Sequence, residues 1–300
     1  MTVLLTTDTI GGVWNFSLSL TRALPFQVHI ATMGCKLSAG QGLEIAEFPF
    51  EESEFPLEWM SDPWAGVDRV GEWLLALERK IKPDILHHDT LTLAHLPFQA
   101  PSVLTVHSCV LSWWETVKSE HAPQEWKENR RRVTRSLRSA AKVIAPSAEM
   151  LRAIQRIYVA CNLGRVVPNF APDLPKRTQF SPSKEPFIFA AGGTWDEAKN
   201  LAALRRVASR LCWPLKIAGE GSELGFLEAS EIANWDGAAL FVRTEEDLFA
   251  AVQSLIADSD LRNKLGFQAR DRSDRFQARA TIQGYSAAYA EVLSGVLCAS

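Results

Sequence analysis

The chain lacks most of the features that would assign it quickly. No stretch of its 300 residues reaches the ~18 consecutive apolar positions a membrane-spanning helix needs. Its net charge is only −3, so no chain-wide basic field exists to hold nucleic acid or acidic lipid. The five cysteines, Cys35, Cys109, Cys161, Cys212 and Cys298, are scattered, and none lies in a C-x-x-C spacing. Neither a zinc site nor a redox dithiol is indicated, and small buried hydrophobes in a reducing compartment are expected. G-x-G-x-x-G is absent, so a dinucleotide fingerprint is unsupported, and the absence of G-x-x-x-x-G-K-[ST] argues against a phosphate-loop ATPase. The opening MTVLLTTDTIGGVW has neither a cationic region nor a long apolar run, so it does not read as a signal peptide. A cytoplasmic protein is expected.

What the chain does contain is a globular composition, 47% hydrophobic and 22% charged, with short apolar runs alternating with longer amphipathic ones. Strands are expected at Val3–Thr7, Val28–Thr32, Asp84–His88, Ser102–Val106, Lys142–Ala145 and Arg165–Val167. Helices are expected from Gly11-Gly12 through Leu24, over Val67–Ile81 and Ala122–Ala140, and from the capping Ser147 through Tyr158. The segment Asp173–Pro186, with Pro172, Pro175, Pro182 and Pro186 in or beside it, reads as a linker. A second alternation follows. It has strands at Phe187–Ala191, Leu215–Ala218 and Ala238–Val242, and helices at Lys199–Leu211, Glu246–Ala257, Leu261–Phe276 and Ala280–Leu297. Alternation with short loops implies parallel sheets covered on both faces. The expectation is an α/β chain with two Rossmann-like domains facing a cleft, ligands sitting beyond the carboxyl ends of the strands.

Several segments fall at those strand ends. Asp8 to Gly12 follow the first strand; two glycines admit a ligand close to the backbone, and the helix start behind them favours an anion. The same pair equally makes a tight turn. His107 ends an apolar strand in LTVHS, where it could meet a substrate hydroxyl or be a satisfied structural histidine. His87, His88 and Asp89 end another strand, but adjacent strand residues point to opposite faces, so no metal site is expected there. Ser112-Trp113-Trp114 and Trp126 offer indole faces to a sugar ring, or simply pack. Arg131, Arg135 and Arg138 share one helix face beside Lys127, Arg130 and Arg132; this face is either solvated or drawn to an anionic surface. Gly192 to Asn200 lies between strand and helix and includes Lys199, a set that could hold a diphosphate. Glu220 and Glu228 are carboxylates that could accept hydrogen bonds from a ribose or sugar diol.

Taken in order, these segments resemble glycosyltransferase family 4, the group 1 glycosyltransferases. TDTIGGVWNFSLSLTRAL is similar to that family's first strand, Gly-Gly loop and helix, and LTVHS to its strand ending in histidine. HSCVLSWW resembles a bacterial branch. AAKVIAPSAEMLRAI and VVPNF resemble the elements before the interdomain crossing. AAGGTWDEAKNLAAL, KIAGEG and WDGAALFV resemble the opening, middle and late parts of the nucleotide-binding domain. The resemblance implies a GT-B fold, a nucleotide-diphosphate sugar as donor, a sugar or lipid-linked acceptor, and retention at the anomeric carbon. It implies no metal, no separate cofactor and no nucleic acid, and it leaves room for peripheral membrane association. It places Gly11 and Gly12 near the donor phosphates, His107 near the reacting sugar with Asp8 and Asn169 flanking, and Lys199 with Gly192 on the diphosphate. The domains it implies are an acceptor domain over 1–172, a reduced donor domain over 187–276, and a final helix over 277–300 packing back on the first.

The chain departs from that pattern in three places. Gly193 stands where the family usually has an arginine, and Phe170 follows Asn169 where glycine is common. The E-P-F-G-L-x-x-L-E-A segment is not intact. Leu227-Glu228-Ala229 is its apparent remnant, with Glu220 at the matching E-x7-E spacing and also within a Gly-Glu-Gly turn. Two functions follow: a retaining sugar transferase, or an impaired relative that still binds sugar or nucleotide.

Overall fold

The computed structural model describes residues 1–159, 164–170, 185–191, 197–218, 238–273 and 276–299. The chain divides into two compact units, residues 1–170 with 278–300, and residues 171–277.

The first unit is a seven-stranded, wholly parallel sheet. Its strands are β1 (Thr2–Asp8), β2 (Gln27–Met33), β3 (Phe50–Glu52), β4 (Ile85–His88), β5 (Ser102–Thr105), β6 (Lys142–Ala145) and β7 (Gly164–Val166), in the order β3-β2-β1-β4-β5-β6-β7. β1 sits centrally, pairing Val3 with Val28 on one side and with Ile85 on the other. Because both faces of such a sheet are covered, β1 reads as a continuous apolar run, yet its side chains still alternate between layers. Val3 and Leu5 join Phe16, Leu18 and Leu20 of α1 (Gly12–Ala23) and Tyr285 and Tyr289 of the last helix, Ala278–Ala299. Leu4 and Leu86 pack under Val67, Val70, Leu74 and Leu77 of α3 (Trp64–Ile81). Leu104 and Val143 carry α5 (Lys127–Ser139) and α6 (Ala148–Tyr158) through Val133, Leu137, Ile154 and Ile157. Burial of each such aliphatic or aromatic side chain is worth about 1.5–3 kcal/mol.

Local chemistry sets the helix ends. Ser147 caps α6, its side chain accepting from the Met150 amide at 3.1 Å. α3 stops at Lys82 in the left-handed region (φ 51°), whose amide closes on the Glu78 carbonyl. The buried Glu78 carboxylate accepts from the Gln99 and Ala100 amides at 2.7 and 2.8 Å, pinning the loop that enters β5. A short α2 (Ala39–Ile45), opened by a capping box between Ser38 and Gln41, and the strand β3 were not expected from the sequence. The helix expected over Ala122–Ala140 is instead a single 3-10 turn, Gln124–Trp126, and then α5. Pro123 explains the difference: proline pushes the residue before it out of the α region and has no amide to give.

In the second unit, β8 (Ile188–Ala191) and β9 (Leu215–Ala218) pair in parallel, Ile188 opposite Leu215. A 3-10 turn, Glu197–Lys199, precedes α7 (Leu201–Ala208), and α8 (Glu245–Ala257) and α9 (Ser259–Ser273) follow. The helix expected from Lys199 begins later because Asn200 takes a left-handed conformation (φ 44°) at its start. Thr244 and Asp247 form a capping box on α8, and Arg210 reaches Glu246 at 2.7 Å to tie α7 to α8. The strand expected over Ala238–Val242 is not formed. Leu240, Phe241 and Val242 are 41, 60 and 38% exposed and join no ladder among the described residues. An apolar run becomes a strand only where a neighbour supplies hydrogen bonds. The linker expectation as far as residue 184, together with Gly192, Glu220 and Glu228, lies outside the described residues.

The last helix, here α10 (Ala278–Ala299), belongs to the first unit. Thr281 Oγ1 donates to the Pro168 carbonyl at 2.7 Å, and Glu291 pairs with Arg165 and, at 2.8 Å, with Lys142. Gly284 permits the close approach, since a Cβ there would stand 2.8 Å from Val167 Cγ1.

Candidate active site at the carboxyl edge of the first sheet

The chain order of the sheet reverses between β1 and β4, and a crevice forms beyond the strand ends at such a point. Asp8 is the last residue of β1, and its Oδ1 accepts from the Ile10 amide at 3.2 Å. Gly11 is the N-cap of α1 with φ 75° and ψ −151°, a conformation that strains any residue with a Cβ. A Cβ there would have nothing within 4 Å among the described residues, so the backbone faces open space. Gly12 is the first residue of α1. The first-turn amides of α1 therefore point outward with no acidic side chain in that turn, which suits an anion.

His107 lies just past β5 and is closed off from solvent. It is only 3% exposed, and Phe16 packs edge-on against its ring at 4.8 Å. Its Nε2 is 3.1 Å from Oδ1 of Asp89, whose side chain is 1% exposed. Asp89 also accepts from Ser17 Oγ at 2.7 Å, and Ser17 in turn accepts from Thr7 Oγ1 at 3.0 Å. The donors outweigh burial, which alone would raise the Asp89 pKa; His107 foremost, then His87, hold the carboxyl below its ordinary value.

Below this pair lies a second imidazole. His87 Nε2 is 2.6 Å from Thr105 Oγ1 and 3.4 Å from Asp89 Oδ1, and its Nδ1 is 2.8 Å from the Tyr289 hydroxyl. Burial pulls its pKa down to about 4, against the pull of Asp89. His88 points to the other layer, with Nε2 3.2 Å from Ser102 Oγ and its ring against Phe98; burial takes it down to about 3. The alternation along β4 thus separates the two histidines, and among the described residues no group of three or more His, Cys, Asp or Glu could hold a metal ion.

Asn169 follows β7, and its Oδ1 is buried with no hydrogen-bond partner among the described residues. An orphaned buried acceptor of this kind carries a cost that a ligand donor would remove. Lys199 closes the 3-10 turn directly before α7, in the second unit. The structure therefore gathers Asp8, Gly11, Gly12 and His107 at one sheet edge and keeps Lys199 in a separate unit.

Three other expectations are adjusted. Cys109 is buried, its Sγ 3.2 Å from the Tyr158 hydroxyl, but Cys35 and Cys212 are exposed. Trp113, the last residue of the short α4 (Val110–Trp113), packs edge-on with Trp114 at 5.7 Å and lies under the Lys118 ammonium. Two of the arginines on α5 are neutralised locally, Arg131 by Glu128 and Arg132 by Glu128 and Asp68, while Arg135 and Arg138 are exposed.

The sequence reading missed Ser17, and it saw Asp89 only as a neighbour of two histidines. A faint signal was present: Ser17 interrupts the apolar face of α1, and Tyr285 and Tyr289, two of only three tyrosines, stand one helical turn apart.

Comparison with known proteins gives the fold and the family. A glycosyltransferase from Rickettsia africae ESF-5 superposes with a TM-score of 0.65 at 14% identity, covering 97% of this chain and 98% of that one. HepE of Anabaena, solved in complex with UDP-glucose, gives 0.69 at 12% identity over 98% of this chain and 100% of that one. These are GT-B glycosyltransferases, and at such identities the likeness establishes the fold. No curated protein matches by sequence. The model of Glycosyltransferase Family 4 matches residues 10–172, which is more than half of the chain and includes Gly11, Gly12, Asp89, His107 and Asn169, and the protein belongs to that family.

Proposed function

We propose that this glycosyltransferase moves a sugar from a nucleotide-diphosphate donor to an acceptor hydroxyl with retention at the anomeric carbon, without a metal ion. The observation that carries the reading is the open, uncapped start of α1 at Gly11-Gly12 on the same sheet edge as His107. In this reading the amides of Gly11 and Gly12 meet the phosphates, and His107 meets the reacting sugar, flanked by Asp8 and Asn169. Lys199 and Gly192 of the second unit bind the diphosphate, and Glu228 or Glu220 takes the ribose. The work is positioning and stabilisation of a departing diphosphate, which needs fixed donors more than a strong base. HepE, solved with UDP-glucose, supports a nucleotide sugar as donor. The acceptor is proposed as a sugar or lipid-linked hydroxyl. The exposed Arg135 and Arg138 on α5 support a peripheral contact with an anionic membrane.

Calorimetric titration with UDP-, GDP- and ADP-sugars tests the donor class, and saturable binding of at least one is expected. Anomeric analysis of the product tests retention, and turnover unchanged by EDTA tests metal independence. Inverted product or EDTA-sensitive turnover overturns the corresponding part.

A second reading, an impaired transferase acting as a sugar- or nucleotide-binding protein, is favoured by Gly193 in place of the usual arginine and by the broken E-P-F-G-L segment. Each charged hydrogen bond lost is worth about 1.5–3 kcal/mol. Two or three such losses cost roughly two to six decades of rate. Release of nucleotide diphosphate at ~1–10³ per second, the ordinary enzyme range, removes this second reading.

A further inference from the structure

The edge of the first sheet is organised around one buried carboxylate. The Asp89 side chain is 1% exposed, and a buried ionised group persists only where donors replace its lost water. The donors are present. Ser17 Oγ gives its single proton to Oδ2 at 2.7 Å, while its lone pair accepts from Thr7 Oγ1 at 3.0 Å. On the other side Oδ1 faces His107 Nε2 at 3.1 Å. An ionised carboxylate accepts only, so the His107 nitrogen facing it must carry hydrogen. Asp89 is itself held, its amide donating to Thr6 Oγ1 at 3.2 Å. Phe16, edge-on to the His107 ring at 4.8 Å, limits its rotation from the other side.

We propose that Asp89 is a positioning residue of the transferase site: it keeps His107 in the tautomer with the proton on Nε2 and sets the plane of its ring. The inference rests on the reading of His107 as the residue that meets the sugar. Asp89 itself acts through His107 and does not touch the substrate.

The test has one arm that needs no substrate. In protein carrying 15N-labelled histidine, with His107→Gln used to assign the His107 signals, the wild type is expected to show Nε2 protonated and Nδ1 bare. In Asp89→Asn that single tautomer is expected to give way to a mixture or to the Nδ1–H form. Wild-type His107 protonated on Nδ1 instead, or a ratio unchanged in Asp89→Asn, overturns the inference. The wild-type spectrum alone decides it should the variant not fold. In the kinetic arm, Asp89→Asn is expected to lower kcat by at least ~100-fold, with the donor KM within about threefold, the pattern of a lost transition-state interaction. A switched tautomer with undiminished kcat overturns the positioning role. Absence of nucleotide release from every donor in the wild type counts against the transferase reading instead, and leaves the tautomer result to stand on the spectrum.

Discussion

The Tyr289 hydroxyl lies 2.8 Å from His87 Nδ1, joining two residues 202 positions apart in the chain. His87 Nε2 has Thr105 Oγ1 at 2.6 Å and the Asp89 carboxylate, which only accepts, at 3.4 Å, so the proton of that neutral imidazole belongs on Nε2 and the Tyr289 hydroxyl is the donor. The last helix of the chain thus completes the polar layer directly beneath Asp89 and His107.

Tyr289→Phe keeps the ring that packs against His87 and Phe26 but removes that donor. It leaves a buried acceptor unpaired, and a loss of about 1–3 kcal/mol in unfolding free energy is expected from urea denaturation. An unchanged midpoint with an unchanged slope would show that the hydroxyl contributes nothing.

Acid should destabilise the fold through the two buried histidines. Burial lowers His87 to about 4 and His88 to about 3. The unfolded chain takes up these protons near its ordinary pKa of about 6.5, while the folded chain refuses them until lower pH. Stability is therefore full above pH ~6.5, falls as pH drops toward the folded values, and levels off below them. On the order of 3–5 kcal/mol per histidine is at stake. Urea midpoints measured from pH 7.5 to 4 should fall through this window, and a flat profile would contradict the burial argument.

Gly284→Ala should loosen the seat of α10. The added Cβ would press on both Val167 methyls, at 2.8 and 3.0 Å. Overpacking of this kind costs about 1–3 kcal/mol. Gly295, on the same helix, has nothing within 4 Å of a built Cβ among the described residues and serves as the control. Thermal melts should separate the two variants, and equal shifts would mean that helix propensity alone governs both.

Lys199→Ala should weaken nucleotide-sugar binding by about 1.5–3 kcal/mol, the worth of a charged hydrogen bond. Lys199 sits at the turn before α7, where a diphosphate would also gain from the helix start. Titration showing wild-type affinity would place the diphosphate elsewhere.

Much of the first unit was legible because its signals are local. The apolar runs at Val3–Thr7, Val28–Thr32, Ser102–Val106 and Lys142–Ala145 fall on β1, β2, β5 and β6 with no end shifted by more than one residue, and Ser147 announces α6 by its own capping chemistry. Asp8, Gly11, Gly12 and His107 could be placed at strand ends for the same reason. Errors arose where a neighbour decides. Ala238–Val242 has the composition of a strand but no ladder partner among the described residues, and Cys35 and Cys212 resemble core residues but lie on the surface.

The sequence by itself determined the alternation of strands and helices, and hence a parallel α/β chain, because hydrophobic periodicity and turn residues act over a few positions. It determined the family through an ordered set of short segments. Only the tertiary structure decided that His107 is buried rather than exposed, that it faces Asp89, and that Ser17 of α1 and Tyr289 of α10 complete the layer around it. Those partners lie 18 to 202 residues apart in the pairs they form. Hydrogen bonds of a few ångströms between such positions depend on where the sheet order sends each strand end, and no local pattern in the chain encodes that distance.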